Sequence, residues 1–62
     1  MLGKKIKELR KSSGMTQEEL GKKLGVIKQT VSSWENDSSE PNHVATIALA
    51  KLFGVTTDYL LG

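Results

Sequence analysis

Gln17 to Asn36 reads QEELGKKLGVIKQTVSSWEN, and the reading of this stretch decides the fold. Two short amphipathic runs flank Gly25, and the second carries polar side chains of the types that read base edges. Thr16-Gln17-Glu18-Glu19 opens the first run as a T-x-x-E capping box. In such a box the Thr16 hydroxyl accepts from the Glu19 N–H, and the Glu19 carboxylate reaches back to the Thr16 N–H. Met15 and Leu20 stand where a hydrophobic staple would bracket the cap, and Leu20 and Leu24 form the buried edge. Gly21 inside the helix costs about 1 kcal/mol against Ala, which predicts a close helix–helix approach there. Gly25 follows the last apolar residue and takes a positive φ without strain, so it makes a sharp turn.

The second run predicts a helix over about Lys28 to Glu35. With Lys28 set at 0°, Ile27, Val31 and Trp34 fall at about 260°, 300° and 240° at 3.6 residues per turn. These three are expected to anchor the helix. Lys28, Ser32, Asn36, Gln29 and Ser33 cover the arc from 0° to about 140°, and none is apolar. Glu35 falls on the border between the faces. A short helix with one anchored stripe presents its other face outward.

Working outward, Leu2, Ile6 and Leu9 share one stripe of a first helix over about Leu2 to Lys11, with Arg10 at the stripe's edge. Gly14 suits a left-handed cap ending that helix. Asn36-Asp37-Ser38-Ser39-Glu40-Pro41-Asn42 is a loop by its turn chemistry. A fourth helix over about Asn42 to Phe53 is apolar around much of its circumference, as expected of a central helix packed by the others. Gly54 caps it, Val55 completes a Schellman-type contact, and Thr56 or Thr57 opens a short fifth helix. With no sustained alternation to suggest strands, the chain reads as all-α with about five short helices in a single domain over residues 1–62.

Composition narrows the possible functions. A chain of 62 residues buries only about 60% of its unfolded surface, and it has no cysteine to staple or to ligate metal. His43 is the only histidine, so no His/Cys/carboxylate cluster has metal-ligand spacing, and no cofactor is expected. No nucleophile–base pair or phosphate-cradling glycine loop is visible, so an enzyme is not expected. No apolar run approaches the roughly 20 residues that span a bilayer, and no membrane partner or small-molecule ligand is expected. Residues 1–30 hold seven Lys and one Arg against three Glu, a net +5, and residues 31–62 carry a net −3. A basic half suits a polyanion partner, though a Lys-rich solvated surface accounts for the counts equally well.

Two helices joined by a glycine-centred turn, the second with a polar outer face, match helix-turn-helix geometry. There the second helix enters the major groove. Gln pairs with adenine N6/N7, Lys donates to guanine O6/N7, and Ser donates or accepts. Periodicity alone leaves a merely solvated face as the alternative.

The sequence resembles the Cro/phage-repressor-like, or Xre, helix-turn-helix domains over nearly its whole length. The resemblance runs from I-x-x-L-R (Ile6 to Arg10) through G-M-T-Q-E-E-L and G-V-x-x-x-T-V-S-x-W-E-N to L-A-K-L-F-G-V and T-T-D-Y-L-L. It implies a five-helix, lambda-repressor-like domain with its motif over residues 17–36. It also implies a phage- or prophage-type transcriptional repressor that binds a palindromic double-stranded DNA operator as a homodimer. The expected location is cytoplasmic, at the nucleoid.

By the same resemblance, Lys28, Gln29, Ser32 and Ser33 read bases, and Gln17 touches phosphate and braces the recognition helix. Thr30 and Asn36 resemble phosphate-contacting or helix-end positions, and Asn36 serves equally well as a cap. Thr16, Ser38, Asn42 and His43 are further phosphate or positioning residues expected beside the resemblance. Arg10 and Glu35 form a buried structural ion pair, and Trp34 is core. Val55, Tyr59 and Leu61 are the expected dimer surface, with Leu60 in the monomer core. The chain ends soon after helix 5, as expected of a fragment of a longer repressor.

Three departures from the family pattern stand out. Ile27 occupies a position that is usually Ser or Thr, so helix 3 lacks its N-cap at a cost of about 1 kcal/mol. Gly21 replaces the usual Ala. The loop after helix 3 carries Asp37 and Glu40 where basic residues are common. Phosphate contacts there would fall to backbone N–H groups, Ser38, Ser39, Asn42 or His43. The acidic loop also suits a rival reading, an antitoxin-type or adaptor module that keeps the fold without DNA binding.

Overall fold

The computed structural model describes residues 2–62, which form five helices and, among the described residues, no strand. They are α1 (Leu2–Ser12), α2 (Gln17–Leu24), α3 (Lys28–Glu35), α4 (His43–Phe53) and α5 (Thr57–Leu61). The expected boundaries hold to within a residue. α1 runs one residue past Lys11, and Asn42 caps α4 from outside, its Oδ1 accepting from the Ala45 N–H at 2.8 Å. Thr56 caps α5 through the Tyr59 N–H. No helix among the described residues is long and apolar enough to cross a membrane.

The three interhelical corners at Gly14, Gly25 and Gly54 close in the same way. In each, the residue after the glycine donates its N–H to a carbonyl five residues back: Met15 to Arg10, Val26 to Gly21 and Val55 to Ala50. Gly25 makes this turn at φ 75°, where a Cβ would be strained. The orphan carbonyls at these helix ends are thus satisfied locally.

The core comprises Ile6, Leu20, Val31, Trp34, Leu49, Ala50 and Leu60, with Leu2, Leu9, Met15, Leu24, Phe53 and Val55 packed around it. Every helix contributes at least one side chain to it. α3 rests on both α1 and α2, and α4 packs on α5 and α2. Trp34 is buried as core, and so is Leu60.

Three expectations need correction. Ile27 does not anchor α3: it is 65% exposed, because its backbone is extended (φ −82°, ψ 161°) and its side chain leaves the helical progression. α4 is not enclosed by the other helices. It buries Thr46, Leu49 and Ala50, while Val44 on the opposite side is 74% exposed and Leu52 is exposed as well. Gly21 marks a close approach of backbone rather than of a helix face. A Cβ there would come within 2.6 Å of the Val26 carbonyl oxygen, in the turn leading to α3.

Candidate nucleic-acid interface

The capping box at the start of α2 is complete. The Thr16 hydroxyl accepts from the Glu19 N–H at 3.1 Å, and the Glu19 carboxylate accepts from the Thr16 N–H at 2.8 Å. The bond from the Thr16 N–H, with a smaller contribution from the nearby Thr16 hydroxyl, holds the Glu19 carboxyl below its ordinary value. The box fixes the first turn of α2 and so places Gln17, the next residue.

Gln17 then joins α2 to α3. Its Nε2 donates to Glu35 Oε1 at 3.1 Å, and because a carboxylate only accepts, the amide must turn its nitrogen this way. Glu35 also accepts twice from Arg10, Nε to Oε2 at 2.6 Å and Nη2 to Oε1 at 3.1 Å. Arg10 Nη1 donates to the Met15 carbonyl at 2.8 Å. The pair is buried as expected, with its side chains 10% and 2% exposed. Burial pushes the Glu35 carboxyl up. The hydrogen bonds from Arg10 and Gln17, with the Arg10 charge, outweigh it and leave the group below its ordinary value. The bond to Glu35 raises Arg10 further, against its own desolvation.

With Val31, Trp34 and Glu35 buried, α3 has one side fastened. Lys28 and Gln29 stand exposed at its N-terminus. Ser32 and Ser33 are half-buried, and the Ser33 hydroxyl meets that of Ser39 at 2.8 Å. Thr30 is half-buried, and its N–H donates to the Ile27 carbonyl at 3.0 Å. Ile27 makes no side-chain cap bond, so the missing cap is as expected.

The loop after α3 is more constrained than its composition suggests. Asn36 ends the helix, exposed, with its own N–H on the Ser32 carbonyl at 3.0 Å. The Asp37 N–H donates to Trp34, and the Ser38 and Ser39 N–H groups both donate to the Ser33 carbonyl. These three amides are therefore committed to α3, contrary to the expectation that loop N–H groups face phosphate. The Ser38 side chain, Asn42 and His43 are exposed, with the Asn42 oxygen held in its cap.

Asp37 has a role that sequence reasoning missed. It adopts φ 59°, and its Oδ1 accepts from the Gly3 N–H at 3.1 Å, satisfying a donor at the start of α1. Gly3 is required by the same contact: a Cβ would overlap the Trp34 carbonyl oxygen and lie 2.8 Å from the Glu35 carbonyl oxygen. A glycine in the first turn of α1 was the available signal.

On and just before α5, Tyr59 and Leu61 are exposed and Val55 is half-buried against the core. Lys5 Nζ donates to the Tyr59 carbonyl at 2.7 Å and lies 5.1 Å from the centre of the Tyr59 ring.

Known proteins resemble this chain in sequence and in fold. The HTH-type transcriptional regulator ImmR of Bacillus subtilis (strain 168) is 41% identical over 61 residues, covering 98% of this chain and 48% of ImmR. Repressor protein C2 of Salmonella phage P22 is 38% identical over 61 residues, covering 98% of this chain and 28% of C2. The chain thus spans about half or less of the length of these relatives. The P22 c2 repressor in complex with synthetic operator 9T superposes with a TM-score of 0.91 at 37% identity, covering 97% of this chain and 91% of that one. SinR of Bacillus subtilis, a master regulator for biofilm formation, superposes in its complex with DNA with a TM-score of 0.89 at 32% identity, covering 100% of both chains. The helix-turn-helix family itself matches residues 6–60. Because that match runs from α1 into α5 and carries the Gly25 turn with it, the chain belongs to the helix-turn-helix family.

Proposed function

We propose that the chain is the DNA-reading part of a phage- or prophage-type transcriptional repressor, acting on double-stranded operator DNA in the cytoplasm, at the nucleoid. The observation that carries this reading is the division of α3. Val31, Trp34 and Glu35 fasten it inward, and Lys28 and Gln29 stand free at its N-terminal end, where helix-turn-helix proteins meet base edges. Lys28 and Gln29 lead the base reading, with Ser32 and Ser33 beside them. Gln17 donates one amide N–H to Glu35, and its second N–H is the one that meets a phosphate. The exposed groups of Thr16, Asn36, Ser38, Asn42 and His43, with Thr30, supply positioning contacts along the backbone. The similarity to regulators solved with DNA supports the same partner.

The operator is palindromic and is bound by a homodimer, with half-sites about one helical turn, roughly 34 Å, apart. Exposed Tyr59 and Leu61 next to Val55 offer a surface for pairing. The role is binding, with no catalytic step.

The rival reading, a protein-interaction module, drew its support from the acidic loop. Asp37 is accounted for inside the fold by its bond to Gly3, which halves that support. Fluorescence anisotropy against mixed duplex DNA at two salt concentrations separates the two. Phosphate contacts release counterions, so affinity should fall with salt at a log–log slope of about −0.9 per contact. A flat response favours the rival.

A further inference from the structure

Ile27 is out of place by every local criterion. It is the N-cap residue of α3, where an oxygen-bearing side chain would accept an orphan N–H, and it offers none. It is also large and aliphatic, yet 65% of it is exposed, so the core does not account for it.

Its backbone is nonetheless held by hydrogen bonds and close packing. The Ile27 carbonyl accepts from the Thr30 N–H at 3.0 Å and the Val31 N–H at 3.4 Å. The absence of a Cβ at Gly21 lets the Val26–Ile27 backbone lie directly on α2. The side chain therefore leaves a held backbone into an open groove shared with Glu18, Lys22, Lys28 and Gln29, two lysines against one carboxylate. That groove lies in the basic half of the chain, which suits DNA. Among the edges of the four bases in the major groove, the one apolar group is the thymine C5-methyl.

We infer that Ile27 is a specificity-determining residue that packs on a thymine methyl next to the bases met by Lys28 and Gln29. This rests on the reading of α3 as the base-reading helix. On that account the chain forgoes a helix cap in exchange for a methyl contact.

The test begins with selection of duplexes bound by the 62-residue chain. Each thymine of the selected half-site is then replaced by deoxyuridine, which removes only the methyl, and affinity is read by anisotropy. One position should weaken binding about four-fold per half-site, equivalent to losing the burial of one methyl, about 0.8 kcal/mol. Ile27→Ala should bind the thymine and uracil duplexes equally. Ile27→Ser, which restores a cap, should raise the melting temperature and lose the same discrimination, a combination that a purely structural role would not produce. If every uracil duplex binds the wild type as tightly as its parent, or if Ile27→Ala still discriminates, the inference is overturned. If selection yields no preferred sequence, the base-reading role of α3 falls and this contact falls with it.

Discussion

Arg10 and Glu35 lie 25 residues apart and meet through a two-pronged, buried contact, Nε to Oε2 at 2.6 Å and Nη2 to Oε1 at 3.1 Å. The pair fastens α1 to the C-terminal end of α3, and Gln17 adds α2 to the same carboxylate. Removing one partner strands a buried charge. Arg10→Met or Glu35→Leu alone should cost about 3–5 kcal/mol. A core this small rarely supplies more than about that, so each single variant should be largely unfolded. Replacing both together should recover most of the loss, since apolar side chains of similar volume often substitute for such a pair. Urea denaturation of the three variants measures this.

Acid should dissolve the same junction. Glu35 lies below its ordinary value of 4.5 because the Arg10 and Gln17 bonds outweigh its desolvation. A carboxyl depressed in the folded chain stabilises it above the unfolded value, and that contribution is lost as pH falls through the folded one. Melting temperature should therefore be steady at neutral pH and fall below about pH 4.5. The Arg10→Met/Glu35→Leu chain should show a shallower acid limb in the same scan.

Gly3→Ala sets helix propensity against packing. Propensity favours Ala by about 1 kcal/mol in a helix interior. The Cβ would overlap the Trp34 carbonyl and press on Asp37 Oδ1, 2.8 Å away, so α1 must shift away from α3. Overpacking of this kind typically costs about 1–3 kcal/mol, and the net effect should be destabilising. Chemical denaturation gives the sign directly; a more stable variant would show that α1 yields easily.

Gln29→Ala tests the outward face of α3. Affinity for the selected operator should drop by about 1–3 kcal/mol, with preference relaxed at one base pair. An equal loss on all sequences would instead make Gln29 a phosphate contact. Folding should be unaffected, because Gln29 is exposed.

Much of this structure is legible in the chain because its signals are local. The Thr16–Glu19 capping box, the left-handed turn at Gly25 and the bounds of α3 each depend on a few adjacent residues. The Arg10–Glu35 pair is the exception, a long-range contact implied by the family resemblance, with which the placement of both charges at the edges of apolar stripes agrees. What stayed hidden is of two kinds. Gly3 and Asp37 are 34 residues apart, and neither carries a pattern that names the other. Ile27 misleads because a helical wheel assigns angles to residues whose backbone is helical, and Ile27 is extended. α4 misleads because an apolar circumference reports composition, while burial depends on how many neighbours a small domain can supply. Whether Ser33 faces DNA or Ser39 turns on a loop conformation that composition leaves open.

The side chains that hold α3 in place and those it displays occupy separate positions along its eight residues. Val31, Trp34 and Glu35 can stay constant while Lys28 and Gln29 change, so the outer face can be rewritten at little risk to folding. On the proposed reading of α3 as the base-reading helix, a lineage built on this scaffold can thus drift from one operator to another by single exposed substitutions, without passing through an unfolded intermediate. Retargeting is cheap here because the address and the hinge pin are different residues.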